Sequence, residues 1–198
     1  GKAHTLKFSM SLSPSETTAL LEKLGHHPKK KLGQNFLIDG NIVDKSIRLA
    51  NLDPSGEVVE IGPGLGTLTR KLLEFGQNVH VVEIDRRLAE NLSEAEEKAV
   101  SNKKLFITQG DAVKQPLGTL PSFVTNYQIV ANLPYAISSA WLESMLNTEN
   151  LPFRMVLMMQ KEAVARIWAG IGTKEYHALS IFISNAFSLT EKHPVSRR

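Results

Sequence analysis

The sequence predicts a doubly wound α/β fold, a mainly parallel sheet with helices on both faces. Three observations carry this expectation. Short apolar runs bounded by turn residues recur from residue 57 to residue 159, longer amphipathic segments separate them, and the first run ends in a glycine-rich turn that opens into such a segment. Buried parallel strands read as short continuous apolar runs, and their alternation with helical patterns favours crossover connections.

Ser11 to Gly25 reads as a short amphipathic helix, with capping chemistry in Ser13-Pro14-Ser15-Glu16 and an apolar side made of Leu20, Leu21 and Leu24. His26-His27-Pro28-Lys29-Lys30-Lys31 breaks it as a basic linker, Leu32 to Leu37 is irregular, and Asn41 to Leu52 is a second helix. The strands expected next are Val58–Ile61, Val79–Ile84, Leu105–Thr108, Gln128–Ala131 and Met155–Met159. Helices are expected at Thr67–Phe75, Arg87–Val100, Ser138–Leu146 and Lys161–Trp168. The apolar spacing of Tyr176 to Phe187 does not decide between helix and strand. The tail His193-Pro194-Val195-Ser196-Arg197-Arg198 offers no final strand.

A chain of 198 residues, 42% hydrophobic and 22% charged, is long enough for one domain with a substantial core. It has no cysteine, which excludes disulfides, thiolate metal sites and cysteine nucleophiles, and no metal site is expected. No apolar run reaches the length of a membrane span and no signal-peptide core opens the chain, so a cytoplasmic protein is expected. Charge is unevenly spread. Cations outnumber acids eight to four in residues 1–48 and six to three in 161–198, but acids lead thirteen to nine in 49–160. Basic ends flanking an acidic middle suit a polyanionic partner beside a site for a cationic cofactor.

The strongest local signal is Val58-Val59-Glu60-Ile61-Gly62-Pro63-Gly64-Leu65-Gly66-Thr67. Glycines at 62, 64 and 66 let the backbone approach a ligand closely at a strand-to-helix turn. The spacing is G-x-G-x-G, with an acid two residues before the first glycine. It does not fit the dinucleotide form G-x-G-x-x-G, which moves the expected ligand from a nicotinamide cofactor to S-adenosylmethionine. Glu83, ending the next strand, can accept from both hydroxyls of a ribose, while Asp85 is better placed to cap the following helix. After the third strand, Gly110-Asp111-Ala112 places a carboxylate where it can accept from an adenine amino group, with Ile84 packing on the ring. These residues stand at the ends of three successive strands and converge on one crevice, where open α/β sheets bind ligands.

Asn132-Leu133-Pro134-Tyr135 closes the fourth strand. An exocyclic amine on an aromatic ring is a poor nucleophile because its lone pair is delocalised. The Asn132 side-chain oxygen and the Leu133 carbonyl can accept its N–H groups, Pro134 removes a donor and stiffens the turn, and Tyr135 offers a face for a flipped-out base. Such stacking contributes about 1–3 kcal/mol. No strong base is required, because the methylated amine can lose its proton to water, and catalysis reduces mainly to positioning.

At these blocks the sequence closely resembles the rRNA adenine N6,N6-dimethyltransferases, which include a housekeeping small-subunit enzyme and erythromycin-resistance enzymes. The resemblance covers about residues 29–192. It rests on Leu32-Gly33-Gln34-Asn35-Phe36-Leu37, Glu60 to Gly66, Val82-Glu83-Ile84-Asp85, Gly110-Asp111-Ala112, Asn132 to Tyr135 and Gln160-Lys161-Glu162-Ala163-Val164-Ala165-Arg166, in that order. It implies a Rossmann-like S-adenosylmethionine methyltransferase fold. Residues 1–28 would form a helical extension and linker, and 29–198 a truncated catalytic domain lacking the family's last strand and helical domain. Gln34, Asn35 and Leu37 would close over the cofactor together with Gly62, Gly64, Gly66, Glu83, Ile84, Asp111, Ala112 and Asn132. Asn132, Leu133, Pro134 and Tyr135 would be catalytic, and Gln160-Lys161-Glu162 would lie near the active-site rim. The implied substrate is a pair of adjacent adenines in the hairpin loop near the 3′ end of small-subunit rRNA, met in the rRNA or a pre-ribosomal subunit by a monomeric enzyme. An erythromycin-resistance-type large-subunit enzyme, a non-catalytic, transcription factor-like nucleic-acid-binding relative and a nicotinamide-dependent oxidoreductase are the competing readings.

Overall fold

The computed structural model describes residues 5–10, 40–75, 77–133, 135–159 and 188–193. In chain order the elements are β1 (Thr5–Met10), α1 (Gly40–Ala50), β2 (Glu57–Ile61), α2 (Thr67–Glu74), β3 (Asn78–Glu83), α3 (Arg86–Ala95), α4 (Glu97–Ser101), β4 (Leu105–Gln109), β5 (Tyr127–Asn132), α5 (Tyr135–Leu146), β6 (Arg154–Met159) and β7 (Ser188–His193). The expected helices Ser11–Gly25 and Lys161–Trp168, and the segment Tyr176–Phe187, lie outside the described residues.

All seven strands join one sheet in the order β4-β3-β2-β5-β6-β1-β7, and every pairing is parallel. The strands step outward from β2 through β3 to β4, then resume at β5 on the other side of β2. The chain therefore reverses direction between β2 and β5. Side-chain alternation along each strand divides the core in two. Val58, Val79, Val81, Val130, Val156 and Met158 pack on one face with Val43 of α1, Leu68 and Leu72 of α2 and Leu92 of α3. Val59, Ile61, Ile129, Ala131, Met155 and Leu157 face the other way, onto Trp141, Leu142 and Met145 of α5. This is the doubly wound arrangement, and each fully buried Val, Leu or Ile contributes roughly 1.5–3 kcal/mol.

The five strands expected between residues 57 and 159 all form. The expected single helix over Arg87–Val100 is instead two, because Glu96 leaves helical geometry (φ −114°, ψ 31°), ending α3 and starting α4. Helix α5 begins at Tyr135, three residues before the predicted start. Two strands add to the sequence reading. Thr5–Met10, which precedes the expected helix Ser11–Gly25 and carries no predicted element, supplies β1 between β6 and β7. Its Leu6, Phe8 and Met10 alternate with Thr5, Lys7 and Ser9, a period-two pattern too short to stand out. Ser188–His193, which also carries no predicted element, pairs with β1, while residues 194–198 of the tail lie outside the described residues. Its Glu191, Lys192 and His193 are the polar residues that mark an edge strand, so it lacks the apolar signature of the central ones.

Candidate active site

The C-terminal ends of β4, β3, β2 and β5 lie side by side and carry every described residue the sequence singled out. Adjacent strands stand about 4.8 Å apart, so this row spans roughly 14 Å, room for an elongated ligand. The β2–β5 ladder pairs only as far as Val59↔Ile129, whereas β5–β6 pairing continues to Asn132↔Met158. The winding reverses between β2 and β5, and such switch points at the C-terminal ends of the strands are where open parallel sheets hold nucleotides.

The glycine turn forms one wall. Gly62, Gly64 and Gly66 have φ of 67°, 55° and 79°, left-handed values that L side chains rarely adopt. At Gly66 a Cβ would also sit 2.6 Å from Leu92 Cδ1, so the buried Leu92 side chain would have to shift. The turn is fastened by Gly62 N–H donating to the Val82 carbonyl and Gly66 N–H donating to the Pro63 carbonyl, both at 2.9 Å.

Glu83 is 3% exposed and faces this turn. Its Oε2 accepts from Gly64 N–H at 3.1 Å and its Oε1 from Asp85 N–H at 2.9 Å. The Ile84 N–H also acts on this carboxylate, which with about four lone-pair sites can still receive a hydroxyl donor. Burial pushes the Glu83 carboxyl above its ordinary range, opposed by these backbone donors. Asp85 takes the capping role expected of it, its Oδ1 accepting from Arg87 N–H at 2.9 Å and Leu88 N–H at 3.2 Å. Beside them Ile84 stands 43% exposed, an apolar surface at a strand end. Its carbonyl is held by Gln109 Nε2 at 3.1 Å. One strand further out, Asp111 Oδ1 accepts from Val113 N–H at 2.9 Å, and Ala112 is buried beside it.

On the other side of the crevice Asn132 ends β5 and is 3% exposed. Its carbonyl lies 3.6 Å from where a Gly62 Cβ would be, so the end of β5 and the glycine turn meet closely. Leu133 extends the ladder by one bond, its N–H donating to the Met158 carbonyl at 2.9 Å, and its side chain is fully buried in the core. What Leu133 can offer a ligand is therefore its carbonyl. Tyr135 opens α5. Pro134, Gln34, Asn35 and Leu37, and the Gln160-Lys161-Glu162 block, lie outside the described residues.

Sequence reasoning noted the acid before the first glycine but not its partner. Glu60 is 1% exposed and accepts from Thr69 Oγ1 at 2.6 Å, tying β2 to the first turn of α2 across the glycine turn. Burial raises its carboxyl to about 8, with Thr69 opposing and Glu83 reinforcing. The signal was a threonine in the helix's first turn, which spacing alone does not mark as facing back.

The fold and this row of residues define a Rossmann-like domain of the methyltransferase class. A family model described as ribosomal RNA adenine dimethylase matches residues 25–191. A protein of Opitutus terrae named ribosomal RNA small subunit methyltransferase A is 48% identical over 187 residues, 94% of this chain and 67% of the relative. One of the same name from Syntrophotalea carbinolica is 42% identical, over 84% of this chain and 61% of its own. A crystal structure of a dimethyladenosine transferase from Plasmodium falciparum superposes with a TM-score of 0.62 at 33% identity, covering 76% of this chain and 52% of that one. The 23S rRNA methyltransferase ErmE gives a TM-score of 0.53 at 28% identity, covering 67% of this chain and 50% of that one. The chain thus spans about half to two thirds of the length of these relatives. It belongs to the ribosomal RNA adenine dimethylase family.

Proposed function

We propose that the chain is the cofactor-binding, catalytic part of an rRNA adenine N6,N6-dimethyltransferase. Its substrate is two adjacent adenines in the 3′-terminal hairpin loop of small-subunit, 16S-type rRNA, and its work is a step in ribosome biogenesis in the cytoplasm. It acts as a monomer on the rRNA or a pre-ribosomal subunit. The observation that carries the reading is the convergence of Gly62 to Gly66, Glu83, Ile84, Asp111 and Asn132 on one end of four adjacent strands. The names of relatives 37–48% identical support the small-subunit substrate.

The crevice fits S-adenosylmethionine: a backbone cradle of positive-φ glycines, a buried carboxylate with spare lone pairs, and an exposed isoleucine beside it. When bound, that cofactor supplies a methyl group activated by the sulfonium. Gly62, Gly64 and Gly66 would line its amino-acid end, Glu83 would hold the ribose, Ile84 and Ala112 would pack on the adenine, and Asp111 would accept from its amino group. Gln34, Asn35 and Leu37 would close the N-terminal side. Toward the target base, the Asn132 side-chain oxygen and the Leu133 carbonyl accept the N6 hydrogens, which localises the nitrogen lone pair and aims it. Pro134, lacking an N–H, keeps the turn from competing for these acceptors, and Tyr135 stacks on the base. The chain's contribution is positioning, with no side chain needed as a strong base.

The test is transfer of labelled methyl groups from S-adenosylmethionine to unmethylated small-subunit and large-subunit particles, with primer extension locating the modified adenines. Transfer to two adjacent adenines of the small-subunit hairpin is expected. Transfer to large-subunit RNA alone would replace this reading with the erythromycin-resistance type, which the likeness to ErmE keeps as the second reading. Nucleic-acid binding without cofactor binding would point to the non-catalytic relative.

A further inference from the structure

The helix that begins at the acceptor turn also grips the loop that carries Asp111. From α5, Ser144 Oγ donates to the Val113 carbonyl at 2.6 Å, and Trp141 Nε1 donates to the Pro116 carbonyl at 3.1 Å. Val113 N–H in turn donates to Asp111 Oδ1 at 2.9 Å, and Lys114 N–H donates to the Asp111 carbonyl at 3.1 Å. The Val113 carbonyl and the Lys114 N–H belong to one planar peptide group. Ser144 therefore holds one end of a rigid unit whose other end holds the Asp111 backbone. Gly118 seals the loop with φ of 57°, where a Cβ would lie 3.0 Å from Val82 Cγ2 and 3.1 Å from Thr108 Oγ1. A helical serine commonly bonds its own preceding turn. Here the hydroxyl instead reaches a carbonyl 31 residues away. Trp141 is fully buried and anchors the loop mainly by packing, with its N–H finding the partner a buried indole needs.

We propose that Ser144 is a positioning residue for Asp111. It fixes the carboxylate that reads the 6-amino group of the cofactor's adenine, and it thereby joins base recognition at one end of the crevice to the helix leading from the acceptor turn at the other. The inference rests on the role given to Asp111 above, so its test separates the two.

The experiment titrates the chain by calorimetry with S-adenosylhomocysteine and with S-inosylhomocysteine, in which a carbonyl replaces the amino group. The unaltered chain is expected to prefer the adenine ligand by roughly tenfold or more, since the inosine oxygen would face an acceptor. Ser144→Ala should narrow that ratio by about threefold or more while leaving the inosine affinity and the melting temperature nearly unchanged, and Ser144→Thr should restore it. Asp111→Asn, which can donate, should shift preference toward inosine. Equal weakening of both ligands in Ser144→Ala, or an unchanged ratio, overturns the proposal. If the unaltered chain shows no preference, or Asp111→Asn leaves the ratio unmoved, the reading of Asp111 fails and this inference with it. If Asp111→Asn moves the ratio and Ser144→Ala does not, only the link through Ser144 fails. Should Ser144→Ala not fold, Ser144→Cys, with similar volume and a weaker donor, reads the same ratio.

Discussion

Replacing Glu60 by glutamine turns a buried carboxyl that can change charge into a neutral group of nearly equal shape. Glu60 is 1% exposed, its one described side-chain bond is to Thr69 at 2.6 Å, and its carboxyl is raised from 4.5 to about 8, chiefly by burial. Between those values the folded chain keeps this proton while the unfolded chain releases it. The native state therefore binds more protons, and stability falls as pH rises through the interval. Each pH unit is 1.36 kcal/mol of linkage, so the loss is on the order of 5 kcal/mol, complete once the pH passes about 8. Glutamine cannot ionise, and the variant lacks this loss. For a chain of this size about 1 kcal/mol moves the melting temperature by 2–4 °C. Thermal unfolding followed by circular dichroism from about pH 5 to pH 9 should show the original chain falling relative to Glu60→Gln by roughly 10 °C. The neighbouring Glu83 carboxyl is also raised by burial, so part of the remaining slope should vanish in Glu60→Gln combined with Glu83→Gln. Parallel curves for the original chain and Glu60→Gln would refute the argument, since Glu60 would then titrate alike in the folded and unfolded states.

Asn132→Ala should cut methyl transfer by about a hundredfold or more while S-adenosylmethionine affinity stays within a few-fold, because the role proposed for the side chain is on the acceptor amine. Single-turnover assays beside calorimetry separate the two, and equal loss of both would remove the role. Glu83→Ala should weaken cofactor binding by at least about tenfold, with Glu83→Gln intermediate, since it deletes the ribose acceptors and leaves the Gly64 and Asp85 N–H groups without the carboxylate they bond. Calorimetric affinity within twofold of the original would contradict it. Gly66→Ala should destabilise the fold by about 1–3 kcal/mol, from the left-handed φ of 79° and the 2.6 Å approach to Leu92 Cδ1. Denaturant unfolding measures it, and Leu92→Ala in the same chain should recover only the steric share.

The central strands were legible because burial on both faces writes an unbroken apolar run, as in Val58-Val59 and Val81-Val82, that polar neighbours cannot disguise. β1 and β7 were not. β1 is six residues of simple alternation, and β7 carries Glu191, Lys192 and His193. At the edge that β7 occupies charge is tolerated, so its sequence says more about solvent than about pairing. The same contrast runs through the site. Asp85 was separable from Glu83 by local reasoning, because a cap serves N–H groups two and three residues ahead, and its bonds to Arg87 and Leu88 follow that rule. The Glu60–Thr69 and Ser144–Val113 bonds join residues from different elements across the glycine turn and from a helix to a loop. No periodicity encodes such partners.

The reversal of winding between β2 and β5 gives these separate details one cause. Before it, α1, α2 and α3 pack on one face, and the strand ends they follow carry the glycine turn and Glu83. After it, α5 packs on the opposite face, and the strand end before it carries Asn132. The end of β5 meets the glycine turn at this switch point, the Asn132 carbonyl lying 3.6 Å from where a Gly62 Cβ would be. A cofactor lying along β2, β3 and β4 and a base entering beside β5 would therefore meet over it, each held by elements from a different face. This also explains why α5 can serve both partners. Its first turn starts at Tyr135, directly after the strand end that carries Asn132, and its third turn bonds the loop after β4 at Val113. A mutation along α5 should consequently change cofactor and acceptor constants together, whereas one in α2 or α3 should change the cofactor constants alone. Trp141→Phe against Leu72→Ala, compared in both constants at matched stability, distinguishes that division from a site whose two halves are independent.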